Sequence, residues 1–425
     1  MDNWAEKDKQ NIWHPFTPLV GSADPIMITS ARGIYLHTHD GRKIIDAVSS
    51  WWTNLHGHSN PHIAAAIAQQ ANNLEHVIFA GFTHEPAIKL SENLLTILPK
   101  NQSKIFFSDN GSTAVEVGIK MALQYWHNKG TPKKKVVAMN GAYHGDTFGS
   151  MSVGDRNIFT DPFSKHLFDV AFIDLPTKEN EEIVLKHFLE LIEKNDVAAF
   201  IVEPLVQAAG GMRMYSPAIL DKLFSSARAH DVICIADEVF TGFGRTGKNF
   251  ASNYLTYMPD IMALSKGLTG GTLPLSITTC TEKIIQEFRT DDFTKTFFHG
   301  HSYTGNPLAC AVANASFELL TGLDCQDAIQ RIATSHEQFR TEMSRHPAIK
   351  DARCLGTIFA LEIKSDESTS YSNTIRKKIY PYFLEQGILL RPLGNVLYIV
   401  PPFVIKNDEL QIIYNSIKKF LDLNI

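Results

Sequence analysis

Cysteine is scarce and scattered: five residues in 425, at 234, 280, 310, 325 and 354, with no CxxC among them. An odd, widely spaced set neither builds a disulfide framework nor offers zinc-ligand spacing, so reduced and mostly buried thiols are expected. Long apolar runs are lacking too. No segment supplies the roughly 18 unbroken apolar residues of a membrane-spanning helix. The N-terminus, MDNWAEKDKQNIWHPF, is charged and has no apolar stretch of the secretory kind, which points to a cytoplasmic protein without a membrane partner. Nor is there an excess of one charge, since 40 Lys and Arg stand against 45 Asp and Glu. Nucleic acid and anionic surfaces are thereby disfavoured as partners. The one basic run, Lys133-Lys134-Lys135, follows Gly130 and Pro132 and reads as a solvated turn. His56, His58 and His62 have no matching carboxylate or helical register, so no metal site is expected. Internal repeats, low-complexity segments and a GxxxxGK[ST] nucleotide loop are all missing.

What is present is a globular composition, 44% hydrophobic and 20% charged, with room for two or three domains. Asp40-Gly41 between the alternating runs Gly33 to Leu36 and Lys43 to Asp46 predicts a hairpin. Asn60 and Pro61 open a helix to about Asn73. A second helix follows Pro86 and stops before Pro99. Beyond it, short apolar runs alternate with helical patterns: Ile105 to Phe107, Val136 to Met139, Val170 to Phe172, Ala198 to Val202, Val232 to Ala236, Ile261 to Leu264 and Leu275 to Thr279. Continuous apolar strands separated by helices specify an α/β fold with a mostly parallel sheet between helices, and such sheets bind ligands at the carboxyl ends of their strands. A long helical pattern from Asn306 leads out of this region into a smaller α+β mixture with strands near 357–363, 388–391 and 396–400. The expected division is 1–58 as the N-terminal segment of the small domain, 59–320 as the large domain and 321–425 as the C-terminal small domain.

Four strand ends carry chemistry. Ile261 to Leu264 delivers Lys266 into a turn containing Gly267, Gly270 and Gly271. A lysine leaving a buried strand loses hydration and basicity, which suits a Schiff-base amine; a surface lysine in a glycine-rich loop is the plainer alternative. Gly111 and Ser112 stand where the strand at 105–107 turns into a helix, so their N–H groups form an anion site, or an N-cap and no more. Asp237 ends the most apolar strand and needs a cationic partner, either a protonated ring nitrogen or Arg245. Tyr143, flanked by Gly141 and Gly145, has room to stack on a flat ligand. Phosphate, nitrogen, ring and aldehyde occur together in one ligand, pyridoxal 5'-phosphate (PLP).

The segments SDNGSTAVEVGIKMALQYW, GAYHGDTFGSMSV, EPLVQAAGGMRMY, ADEVFTGFGRTG, SKGLTGG and HGHSYTGNPLACA resemble, in that order, the motifs of the class III PLP aminotransferases of fold type I. The resemblance spans nearly the whole chain. It implies Lys266 as the catalytic, cofactor-bearing residue, Gly111 and Ser112 on the phosphate, Asp237 on the ring nitrogen and Tyr143 at ring and substrate. It further implies a homodimer with shared active sites, in which His301 and Ser302 reach the neighbouring subunit's cofactor. WHPF, SSWW and RPLGNVLYIVPP are similar to a branch that aminates 7-keto-8-aminopelargonate in biotin synthesis. They imply Phe16, Trp51, Gly300 and Arg391 as substrate contacts, with Arg391 on a carboxylate. The expected amino donor is S-adenosylmethionine. Phe16 stands where many users of that donor have tyrosine, so lysine is an alternative donor, and another ω-amino acid or diamine transamination an alternative reaction.

Overall fold

The structure, a computed structural model, describes residues 4–369 and 372–424. Its centre is a seven-stranded sheet in the order Gln102–Ser108, Ser276–Thr281, Ile261–Leu264, Ile233–Asp237, Val197–Val202, Lys135–Met139, Val170–Ile173. All run in one direction except Ser276–Thr281, which is antiparallel to both neighbours. The middle strands are buried at every position, as an apolar run with no polar face requires. Alternate residues serve opposite faces. Phe200, Val202, Cys234, Ala236, Met262 and Leu264 join one apolar cluster, whereas Ala199, Ile201, Ile233, Ile235, Ile261 and Ala263 join another, beneath the helix Gly111–Asn128.

Two smaller sheets flank it. In one, Ile28–Arg32, Tyr35–Thr38 and Lys43–Asp46 form an antiparallel meander, and Ile388–Leu389 adds to its edge in parallel, pairing Ile388 with Ile45 and Leu389 with Asp46. In the other, Ile349–Leu355, Ile358–Ile363 and Val396–Ile399 are antiparallel. The helix Pro61–Asn73 begins as expected, with the Asn60 side chain accepting from His62 and Ile63 N–H. The strand Ile349–Leu355 has no expectation behind it, because its charged, half-exposed positions carry no apolar alternation.

One basic residue departs from its expected setting. Lys133 is not solvated: its Nζ lies 4.1 Å from the Trp126 ring centroid and donates to the carbonyls of His230 and Asp231, just past the helix Pro217–Ala229. A cation there satisfies carbonyls that the helix end leaves open. Cys234, Cys280 and Cys310 are buried, and Cys325 and Cys354 half-buried. Among the described residues no single helix is long and apolar enough to cross a membrane, and no cluster of three candidate metal ligands occurs.

Candidate active site

Lys266 follows the strand Ile261–Leu264 through Ser265, whose Oγ donates to Leu275 O at 2.9 Å. The lysine has φ 45° and starts a short helical turn that closes at Gly270. Gly271 (φ 81°) must be glycine, since a Cβ there would lie 2.7 Å from the backbone of Thr53 and Asn54. The turn therefore packs directly on Thr53 and Asn54, just past the Ser49–Trp52 segment. Lys266 Nζ lies 4.7 Å from the Trp52 ring centroid and 5.7 Å from that of Phe240. Burial pushes its pKa down to about 8, against the opposing pull of the Asp237 and Glu203 carboxylates.

Asp237 closes the neighbouring strand. Its Oδ2 lies 2.7 Å from His144 Nδ1, and Oδ1 accepts from Val239 N–H at 3.1 Å. Arg245 is not its partner: that fully buried guanidinium donates to the carbonyls of Pro401, Asn54 and Trp52. Gly111–Asn128 starts at the anticipated strand-to-helix turn, capped by Asn110 Oδ1 on Thr113 N–H. Gly111 and Ser112 then belong to a first turn whose N–H groups have no acceptor within the helix. The Tyr143 loop arrives beside it, with Asp146 N–H donating to Ser112 Oγ at 3.1 Å. Gly145 (φ 125°) permits this approach; a Cβ would fall 2.0 Å from that oxygen. Tyr143 itself donates from its hydroxyl to Asp146 Oδ2.

A second group gathers at the side of Trp51. The Arg391 guanidinium carbon lies 4.6 Å from the Trp51 ring centroid and makes no ion pair or hydrogen bond to another described residue. Phe16 packs 5.8 Å from Trp51 and 6.1 Å from Phe159, at the wall of a cleft of about 330 Å³ that Ile158, Thr374, Arg376 and Lys377 also line. Gly300, His301 and Ser302 lie elsewhere, in the loop before the helix Pro307–Thr321. His301 Nε2 is 3.9 Å from Asp109 Oδ1, and none of the contacts of these three residues is with Lys266, Asp237 or Arg391.

The family described as Aminotransferase class-III matches residues 20–421. The chain is a class III aminotransferase. An adenosylmethionine-8-amino-7-oxononanoate aminotransferase of Synechococcus elongatus is 48% identical over 97% of this chain and 98% of its own. One from Staphylococcus aureus is 37% identical over 97% and 96%. Among solved structures, the Methanocaldococcus jannaschii protein of that name superposes with a TM-score of 0.91 at 35% identity, covering 98% of both chains. An omega transaminase from Pseudomonas jessenii, solved with PMP, reaches 0.92 at 28% identity over 98% and 97%.

This aminotransferase has two site residues that motif reading passed over. His144 lies beside Tyr143 in sequence, yet it is the buried partner of Asp237. Glu203 directly follows the strand Val197–Val202, and its carboxylate accepts from Tyr143 N–H at 2.9 Å and Ala208 N–H at 3.0 Å. Burial raises its pKa to about 7, with His144 pulling it back and Asp237 pushing it further. The strand-end argument that singled out Asp237 applies equally to Glu203.

The lowered basicity of Lys266 gives a measurable expectation. In the cofactor-free protein, its labelling by an amine-specific acylating reagent should rise with pH around a midpoint of about 8, because only the neutral amine attacks. Surface lysines titrate about two units higher. Mass spectrometry of the Lys266 peptide across pH 6 to 11 reads this directly, and a midpoint near 10.5 would contradict the burial argument.

Proposed function

We propose that this aminotransferase uses PLP to convert 7-keto-8-aminopelargonate to 7,8-diaminopelargonate, working as a cytoplasmic homodimer. The observation that carries the substrate reading is Arg391, a cation over the Trp51 ring with no hydrogen-bonded or ionic partner among the described residues, while Lys266 stands over the neighbouring Trp52. The printed names of relatives 37 to 48% identical over nearly the whole chain support the same reading.

The residues fit the cofactor. An open helix N-terminus at Gly111 and Ser112 suits a phosphate, Gly145 lets the Tyr143 loop close against that terminus, and a carboxylate and a buried amine stand at adjacent strand ends. When bound, PLP supplies a carbonyl carbon for amine exchange and a protonated ring that accepts the electron pair released at the substrate carbon. Gly111 and Ser112 N–H groups would hold the phosphate, and Tyr143 would stand at the ring. Asp237, oriented by His144, would keep the ring nitrogen protonated. Lys266, with a pKa of about 8, has a far larger neutral fraction near physiological pH than a surface lysine, and it would move the proton to and from the reacting carbon. Arg391 grips the keto acid's carboxylate through its planar fork, while Trp51 and Phe16 exclude water from the aliphatic chain.

S-adenosylmethionine is the proposed donor. Phe16, which has no hydroxyl to offer, keeps lysine as the specific second candidate. Loaded enzyme is mixed separately with S-adenosylmethionine, lysine, glutamate and alanine, and the cofactor absorbance is followed. Conversion by S-adenosylmethionine alone is expected; conversion by lysine alone reassigns the donor.

The dimer proposal rests on His301 and Ser302, whose contacts within the chain leave Lys266 untouched, in a loop that exposes Phe298 and Tyr303. Lys266→Ala subunits exchanged with Ser302→Asp subunits should yield hybrids with one restored and one doubly damaged site. Recovery of activity on mixing is the expected result, and its absence under proven exchange refutes shared sites.

A further inference from the structure

The turn that carries both tryptophans is strained throughout. Ser49, Ser50, Trp51 and Trp52 have φ of 51°, 57°, 141° and 69°, four successive residues with side chains in the region that glycine favours. Such conformations persist only where the surroundings impose them. Here the imposing group is Asp46, the last residue of the strand Lys43–Asp46, which is fully buried. Its Oδ1 accepts from Ser50 N–H at 2.9 Å and Val48 N–H at 3.3 Å; its Oδ2 accepts from Ser50 Oγ at 2.8 Å and lies 2.9 Å from His58 Nε2. Asn54 Nδ2 lies 3.3 Å from His58 Nδ1, so donation by the amide places the imidazole proton on Nε2, toward Asp46. One carboxylate thus gathers four donors around the turn.

What the turn achieves lies outside it. Trp52 is packed against Phe240 and Tyr398 and would be buried in any case, but Trp51 is 41% exposed, and nothing in the core requires its direction. Its ring is nevertheless held under Arg391 and against Phe16. We propose that Asp46 and His58 are a positioning pair that holds the Ser49–Trp52 turn in its strained form and thereby fixes Trp51 against Arg391 as a wall for the keto acid. The substrate part rests on the reading that this cleft takes 7-keto-8-aminopelargonate.

The test uses full-length, PLP-loaded enzyme. In Asp46→Asn the acceptor for Ser50 Oγ and His58 is lost. KM for the keto acid should rise about tenfold, as expected for losing a charge-assisted bond. Ser50→Ala removes one of the four bonds and should give a rise of about threefold. It stands in if Asp46→Asn does not fold. A substrate-free readout accompanies both: acrylamide quenching of Trp51 emission, taken as the difference between each protein and its Trp51→Phe derivative. Stronger quenching is expected in both variants, and quenching equal to wild type overturns the positioning pair whatever the substrate proves to be. Arg391→Ala, measured alongside, separates the two ideas. If it too leaves the keto-acid KM unchanged, the substrate reading fails; if it raises KM and Asp46→Asn and Ser50→Ala do not, the positioning pair fails.

Discussion

Replacing Lys266 with alanine is expected to lower turnover by about 10⁴-fold, the upper end of what a positioned general acid–base contributes. The residue loses its place on the cofactor and its proton-carrying amine at once. Binding of PLP should survive in weakened form, because the helix N-terminus at Gly111 and Ser112 and the Asp237–His144 pair are untouched. Lys266→Arg should not rescue, since a guanidinium stays protonated at any working pH. The measurements are steady-state kcat with cofactor in excess and borohydride reduction of the wild type followed by peptide mapping. A pyridoxyl label on any other lysine, or a loss of turnover below tenfold, would remove Lys266 from the mechanism.

Arg391→Ala is expected to lower kcat/KM for 7-keto-8-aminopelargonate by about 30-fold or more. The estimate follows from comparing two magnitudes. An exposed ion pair contributes about 0 to 1 kcal/mol, whereas removing one partner of a desolvated, hydrogen-bonded charge pair costs about 2 to 5 kcal/mol. Arg391 is half-buried, stacked over Trp51 and without a described protein partner, so the second case applies once a carboxylate arrives. Arg391→Lys should recover only part, because a point charge does not reproduce the fork. The donor half-reaction with S-adenosylmethionine serves as a control for cofactor loading. Unchanged keto-acid kinetics in Arg391→Ala would leave a class III aminotransferase with a different acceptor.

The large sheet was legible because its strands are buried on both faces, so Val197–Val202 and Ile261–Leu264 read as unbroken apolar runs with breakers between. Strand direction was not legible. Ser276–Thr281 is as fully buried as Ile261–Leu264 yet runs the other way, and burial alone does not encode a strand's sense. Lys266 and Asp237 were accessible from their strand-end positions, but the partner of Asp237 was not. Arg245, close in sequence, turns to three backbone carbonyls, and His144, 93 residues away, takes the place. The Ser49–Trp52 turn gave no warning, since serine and tryptophan carry no preference for positive φ and the cause is the Asp46 carboxylate. Lys133 misled for a related reason: a loop composition says nothing about a helix end arriving from 97 and 98 residues further on.

Ribosomal synthesis runs from the N-terminus, and the meander that ends at Asp46 is among the first segments to emerge. Its open edge has to wait for Ile388–Leu389, close to the other end of the chain, before the parallel ladder exists. Until that strand arrives, the edge is a bare row of backbone donors and acceptors, the kind of surface that recruits foreign strands. Arg391 sits two residues beyond the late strand, so the cation over Trp51 also arrives late. A nascent chain halted after Ser276–Thr281 would already carry the lysine, the Asp237 carboxylate and the helix N-terminus. It would lack Arg391, the cation that stands over Trp51.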